Sequence, residues 1–165
     1  MNSFFLDGSA LAKRYVSEIG SALVDVILDT VAEPRIYLLN IGFAEVVSVL
    51  VRKKNAGGTS AAGFNLALLG LEREVTRSVG KHLLSFDNSV ASDALPLIVK
   101  HAINSTDAIV LRVALDIAQL LRVGGDDLVL VASDQRLLRA AGAEGLTTFN
   151  PETQDHAALA ALIGP

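Results

Sequence analysis

The sequence predicts an α/β fold in which helices cover both faces of a parallel sheet of about five strands. Short apolar runs alternate with longer helical patterns along the whole chain, which is typical of strand-helix-strand connections. Two of the apolar runs end in an acidic residue that opens a helix, Asp7 and Asp134. The run at 128–131, Leu-Val-Leu-Val, has no polar side, as a buried parallel strand requires.

The composition predicts one globular domain spanning 1–165. Apolar residues make up 51% of the chain and charged residues 19%, which excludes disorder. The net charge of -4 argues against a protein that holds nucleic acid by a bulk positive field. There is no cysteine, so disulfides and thiolate metal sites are excluded.

We expect a cytoplasmic protein without a membrane span. No apolar run reaches the roughly 18 residues that a span requires, because Asn40, Glu45 and Ser48 interrupt the best candidate. The first residues also lack the basic stretch of a secretory signal.

The first half of the chain is expected to contain two strands, of which the first ends at Asp7. Pro34 ends the second helix, because its ring prevents helical continuation. Asn40 is expected to cap the third helix, and Gly80 to end the fourth, which should be the longest. The expected elements are strands at 3–6 and 35–39 and helices at 9–15, 21–31, 40–54 and 60–79.

The second half repeats the arrangement of the first stretch: an apolar strand, a hydroxyl residue, a carboxylate and a helix. Gly142 is expected to close the helix that follows Asp134. The expected elements are strands at 82–86, 128–131 and 146–149, helices at 88–101, 105–122 and 135–141, and a C-terminal tail helix at about 154–163.

Four acidic residues are expected to meet at one edge of this sheet. Asp7 and Asp134 follow strands, whereas Glu45 and Asp107 lie early in helices that start from the same edge. Carboxylates gathered in this way repel one another, and a divalent cation keeps them ionised. An all-oxygen ligand set favours Mg²⁺ or Mn²⁺ over zinc and suits phosphoryl chemistry.

Three of the four acids also have a purely structural interpretation. Asp7 or Ser9 could simply cap the first helix. Glu45, the one charge in an otherwise apolar stretch, could pair with Arg52 two turns later. Asp107 could serve the dipole of its helix.

With these acids in view, the chain resembles the PIN-domain family, in particular VapC-like toxins. The resemblance covers nearly the whole chain, in order and with suitable spacing. It rests on the segments 5–15 (Phe-Leu-Asp-Gly-Ser-Ala-Leu-Ala-Lys-Arg-Tyr), 43–46 (Phe-Ala-Glu-Val), 106–109 (Thr-Asp-Ala-Ile) and 131–138 (Val-Ala-Ser-Asp-Gln-Arg-Leu-Leu).

The resemblance implies a three-layer α/β/α PIN-like domain and a metal-dependent endoribonuclease. It further implies an RNA substrate, an antitoxin partner and a homodimer, for which the apolar helix faces at 23–31 and 41–51 are candidates. The family's metal-binding and catalytic acids match Asp7, Glu45, Asp107 and Asp134, and its supporting hydroxyls match Ser9 and Ser133.

Two departures from the family pattern are visible. Gly8 replaces a more usual Thr or Ser, which we expect to loosen the turn that aims Asp7. Many relatives have Ala-Leu-His after the third acid, whereas this chain has Ala-Ile-Val. Neither departure removes a metal ligand.

We therefore expect hydrolysis of RNA phosphodiesters with Mg²⁺ or Mn²⁺ as cofactor, leaving 5′-phosphate and 3′-hydroxyl ends. The weaker candidates for phosphate contacts are Lys13, Arg14 and Arg52. A haloacid-dehalogenase-like phosphatase would need an Asp in place of Ser9, and the glycine fingerprint of dinucleotide-binding folds is absent. The remaining alternative is a PIN fold used as a non-catalytic binding or regulatory module.

Overall fold

The computed structural model describes residues 1–164 and contains, within them, one parallel sheet of five strands. The strand order is β3-β2-β1-β4-β5, so the first strand lies at the centre. The strands are β1 (Asn2–Leu6), β2 (Ile36–Leu39), β3 (His82–Leu84), β4 (Asp127–Val131) and β5 (Thr147–Phe149). The predicted parallel sheet is thus confirmed.

Helices follow the strands and cover both faces of the sheet. They are α1 (Gly8–Leu11), α2 (Ser21–Thr30), α3 (Asn40–Asn55), α4 (Ala61–Leu71), α5 (Asn88–Asp93), α6 (Leu95–His101), α7 (Ser105–Val123), α8 (Gln135–Ala143) and α9 (His156–Ile163). Short 3-10 turns follow α1 at Ala12–Arg14 and precede β2 at Glu33–Arg35. None of the helices in this part of the chain is long and apolar enough to cross a membrane.

Two hydrophobic cores, one on each face of the sheet, hold the three layers together. Alternate residues of β1 enter different cores: Phe4 and Leu6 pack with α1 to α4 and α9, whereas Phe5 packs with α5 to α8. The apolar faces of α2 and α3, which were candidates for a dimer contact, are largely used here, since Ile27 and Leu50 are fully buried in the first core.

Several predicted boundaries are wrong. The helix expected at 60–79 ends at Leu71 and is followed by a π-helical turn over Glu72–Thr76. The longest α-helix among the described residues is therefore α7. The helix expected at 88–101 is interrupted at Ala94, where Pro96 in the first turn of α6 starts a new helix.

Three predicted caps also differ from the structure. Asn40 is the first residue of α3 and not its cap, and the preceding Leu39 provides no side-chain hydrogen bond. Gly142 lies inside α8 rather than closing it. Gly80 follows the π turn and ends no helix.

The start of α2 packs tightly against the loop that follows β5. Gly20 there has a φ of 89°, and a Cβ atom at this position would lie 2.5 Å from the carbonyl oxygen of Pro151. Only glycine satisfies both the backbone conformation and the contact. This contact fixes the loop after β5 beside the carboxyl edge of the sheet.

Candidate active site

The four predicted acids line one cavity of about 380 Å³ at the carboxyl edge of the sheet. Asp7 directly follows β1 and Asp134 follows β4, the neighbouring strand. Glu45 reaches the cavity from α3, and Asp107 from the first turn of α7. The structure therefore brings all four side chains together, while their role as ligands stays a prediction.

Asp7 is nearly buried and is held by the predicted supporting hydroxyl. Its Oδ2 accepts hydrogen bonds from the Ser9 hydroxyl at 2.6 Å and the Ser9 amide at 3.1 Å. The Ser9 Oγ in turn accepts a hydrogen bond from the Ser133 amide at 3.0 Å. Ser9 thus connects the end of β1 to the end of β4 and fixes the orientation of the Asp7 carboxylate.

Glu45 is placed by the close approach of α1 and α3. A Cβ atom added to Gly8 would lie 2.4 Å from the Glu45 Oε2 and 2.9 Å from its Cβ. A Cβ on Gly42, in α3, would lie 3.3 Å from the Gly8 amide nitrogen. Gly8 does not have a positive φ, so its role is space rather than backbone freedom. The expectation that Gly8 loosens the turn is therefore replaced: the glycine leaves room for the side chain of Glu45.

The structural interpretations of these acids are partly right. Asp7 caps α1, as that interpretation predicted. The Asp134 Oδ1, for which no capping role was predicted, caps α8 by accepting from the amides of Arg136 at 2.7 Å and Leu137 at 3.2 Å. Each of these carboxylates therefore lies at a helix N-terminus, where the dipole favours negative charge. In contrast, no salt bridge joins Glu45 to Arg52 in the described residues, so that interpretation fails.

Asn104 is a site residue that the sequence analysis missed. Its side chain caps α7: Oδ1 accepts from the Asp107 amide and Nδ2 donates to the Asp107 Oδ2, both at 2.8 Å. This reciprocal pairing aims the Asp107 carboxylate at the shared cavity, which Asn104 also lines. The spacing of a capping residue and an acid three positions later was the signal that could have found it.

The electrostatics of the cavity favour protonation of Asp7, Glu45 and Asp107. Burial, followed by the charges of Asp7 and Asp107, raises the pKa of Glu45 to about 7. Burial and the charges of Asp134 and Asp7 raise the pKa of Asp107 to about 6. Burial also raises the pKa of Asp7, although its hydrogen bonds from Ser9 act in the opposite direction. A divalent cation shared by these carboxylates would offset their mutual repulsion and favour their ionised form.

The donor chemistry fits a hard divalent cation. Four carboxylates and the Asn104 amide oxygen line the cavity, and they would supply oxygen ligands of the type that Mg²⁺ and Mn²⁺ prefer. Within residues 1–164, however, no three acidic or histidine side chains already surround a common point. Coordination by three or more of these acids would therefore require side-chain rotation.

The predicted phosphate-binding residues separate into two groups. Arg52 lines the acid cavity, and Lys13 lines a second cavity beside it. Arg14 does not line either cavity, because its guanidinium is held by three carboxylates, those of Asp25, Asp29 and Glu74. This arrangement argues against a phosphate contact by Arg14.

No protein-family model matches the sequence, and no curated protein matches it significantly. Solved structures do match. PAE2754 from Pyrobaculum aerophilum is 16% identical with a TM-score of 0.60, and the match covers 97% of this chain and 94% of that one.

Two toxin structures are also similar. VapC20 from Mycobacterium tuberculosis, a toxin that cleaves the sarcin-ricin loop, is 15% identical with a TM-score of 0.61, over 93% of this chain and 100% of that one. A toxin-antitoxin complex from Klebsiella pneumoniae matches at 17% identity and a TM-score of 0.55, over 90% of this chain and 98% of that one. At such identities the likeness shows the fold alone, which is that of a PIN domain.

Proposed function

We propose that this chain is a metal-dependent endoribonuclease of the VapC-like toxin type. The observation that carries the proposal is the convergence of Asp7, Glu45, Asp107 and Asp134 on one cavity at the carboxyl edge of a PIN-type sheet. The fold shared with a sarcin-ricin loop cleaving toxin supports RNA as the substrate.

In this mechanism the four acids would hold one or two Mg²⁺ or Mn²⁺ ions, with Asn104 beside them. The chemistry that a bound cation supplies is activation of water and neutralisation of the leaving oxygen. Ser9 keeps the Asp7 carboxylate oriented through its two hydrogen bonds. The products would carry 5′-phosphate and 3′-hydroxyl ends.

The proposal includes two protein partners. A cognate antitoxin is supported by the fold shared with the toxin-antitoxin complex from Klebsiella pneumoniae. A homodimer is supported by large apolar side chains at the surface of α4, where Leu66 and Leu69 are exposed. Light scattering on the isolated chain tests the dimer, and co-purification with a co-expressed neighbouring gene product tests the antitoxin.

A mixed pool of single-stranded and structured RNA tests the activity. We expect internal cleavage with Mg²⁺ or Mn²⁺ and none in the presence of a chelator, because in this proposal the cation supplies both the activation of water and the neutralisation of the leaving oxygen. Mapping of the fragment ends should find 5′-phosphates. Cleavage that persists in chelator would contradict a metal-dependent mechanism.

A non-catalytic PIN-fold module is the alternative, and one observation favours it. In the described part of the chain, no three potential ligands are already assembled. This alternative gains support if the folded protein takes up no divalent ion and cleaves no RNA.

Metal affinity is expected to fall as the pH is lowered, because protons and cations compete for the same carboxylates. The pKa of Glu45 is about 7 and that of Asp107 about 6. Between pH of about 6 and about 7 the affinity for Mn²⁺ should therefore rise about tenfold, with a plateau above about pH 8. Titration calorimetry at several pH values measures this. The Glu45→Gln variant should show a shallower dependence, and an affinity independent of pH would contradict the proposed ligand set.

A further inference from the structure

A second cavity of about 470 Å³ adjoins the acid-lined one. The two cavities share Ser9, Val49 and Arg52 in their walls. The acid cavity accounts for hydrolysis at one phosphodiester, but it does not explain the basic residues beside it. The lining of the second cavity includes Lys13, Glu18, Arg52, Lys53, Ser133 and Glu152.

The cations of this second cavity exceed its carboxylates. The Lys13 Nζ lies 2.6 Å from the Glu152 Oε1 and 3.7 Å from the Glu18 Oε2. The Lys53 Nζ lies 2.7 Å from the Glu18 Oε1. Arg52 adds a third positive charge, so three cations face two carboxylates. The lining of this cavity therefore keeps one net positive charge even with these salt bridges in place.

The cations and their partners differ in burial. The Lys13 side chain is 2% exposed, whereas that of Glu152 is 41% exposed. Glu152 can turn into water at little cost, but the buried ammonium of Lys13 cannot follow it. An anion entering from solvent can thus replace a carboxylate of Glu152 while Lys13 stays in position. This fixed charge distinguishes the cavity from an ordinary patch of mobile surface lysines.

Ser133 supplies a second, independent indication of a ligand. Its Oγ is buried without a hydrogen-bond partner among the described residues, although its backbone amide binds Ser9. A buried hydroxyl without a partner costs free energy, and an incoming acceptor would remove that cost. The hydroxyl belongs to a residue that lines the second cavity and directly precedes Asp134.

We propose that the second cavity binds a backbone phosphate of the RNA strand, adjacent to the phosphodiester held at the four acids. The inference rests on the proposed function and identifies the subsite that positions its substrate. Lys13, Lys53 and Arg52 neutralise the phosphate, and the Ser133 hydroxyl donates to one of its oxygens once its side chain turns from its buried position toward the cavity. A strand rather than a free phosphate ion is the fitting ligand, because the two cavities lie side by side and share Ser9 and Arg52 in their walls.

Salt dependence of RNA binding tests the subsite without relying on cleavage. The probe is a fluorescently labelled single-stranded RNA, and its anisotropy is measured in Mg²⁺ with the Asp7→Asn variant as background. Each phosphate contact to a single strand contributes about 0.7 to the slope of log affinity against log salt. Adding Arg52→Ala and Lys53→Ala together should therefore reduce the slope by about 0.7.

The matched control is Lys54→Ala in the same background. Lys54 is the neighbouring lysine, but its Nζ lies 4.6 Å from the centre of the Phe64 ring and does not line the second cavity. This control should leave the slope unchanged. An equal loss for the control and the double variant would show a general charge effect and overturn the subsite.

The remaining outcomes separate the subsite from the proposed function. RNA cleavage by the unaltered chain, combined with an unchanged slope in the double variant, overturns the subsite alone. Absence of RNA binding and of cleavage overturns both. Displacement of the RNA by inorganic phosphate, beyond the effect of an equal ionic strength of chloride, would assign the cavity to a free phosphate ion and overturn the assignment to a strand.

Discussion

Replacement of Asp7 by Asn should reduce divalent-dependent RNA cleavage by at least about a hundredfold. Residues that merely support a metal ligand already cost about tenfold to a hundredfold when they are removed, and Asp7 is proposed as a ligand itself. Its carboxylate is nearly buried between β1 and β4 and is oriented by Ser9. The measurement is the initial rate of cleavage of the same RNA pool with Mn²⁺.

The same variant should remain folded, and this separates chemistry from stability. Burial raises the pKa of Asp7 above its ordinary value. The stability that this side chain contributes is complete below the unfolded pKa of about 4 and is lost as the pH rises through the folded pKa. Asn carries no charge at any pH and avoids that loss. Thermal unfolding in chelator at neutral pH should thus occur at the same or a higher temperature than for the original chain.

Asp116→Asn is the control for the Asp7 variant. Asp116 pairs with Arg112 four residues before it and does not line the acid cavity. Its replacement should leave the cleavage rate unchanged. Full activity in Asp7→Asn, or an equal loss in both variants, would contradict the role assigned to Asp7.

Replacement of Gly8 by Ala is the second change with a large expected effect. The added methyl group would lie 2.4 Å from the Glu45 Oε2, 2.9 Å from the Glu45 Cβ and 3.1 Å from the Gly42 carbonyl oxygen. The side chain of Glu45 can turn away, but its Cβ and the Gly42 backbone move only if α3 shifts. We expect a loss of about 1–3 kcal/mol in the free energy of unfolding and a tenfold to hundredfold lower cleavage rate, roughly the effect of disturbing a metal ligand.

Gly142→Ala provides the matched control for this substitution. Gly142 also lies in a helix, but a Cβ atom there would meet nothing within 4 Å. Alanine should stabilise α8 by up to about 1 kcal/mol, because glycine is the poorer helix former. Chemical denaturation and cleavage rates of both variants are compared. If Gly8→Ala behaves like the control, the close approach of α1 and α3 does not position Glu45.

The order of the strands and helices and the acids of the site could be predicted, because short local sequence patterns mark both. An apolar run that ends in an acid and is followed by a helix marks the carboxyl end of a parallel strand, and this pattern located Asp7 and Asp134. The edge at which all four acids meet then follows from parallel topology. The resemblance to PIN domains added the identity of the fold, and solved structures confirm it.

The features that were missed depend on contacts between distant parts of the chain. The π turn at Glu72–Thr76 includes Glu74, which accepts hydrogen bonds from Arg14 and Tyr15, about sixty residues earlier. Apolar periodicity contains no information about such a contact. Gly8 was interpreted through backbone freedom because its neighbour Glu45 is far away in sequence. The sequence also did not indicate that three carboxylates bind Arg14, because these residues are separated from it along the chain.

Uptake of Mn²⁺ by the purified chain tests the central claim most directly. Titration calorimetry at neutral pH is carried out on the original chain, on Asp107→Asn and on the Asp116→Asn control. A divalent-cation site at the four acids predicts saturable binding that Mg²⁺ displaces. This binding should be lost or strongly weakened in Asp107→Asn and should persist in the control. No uptake by the original chain, or equal uptake by all three proteins, would contradict a divalent-cation site at the four acids.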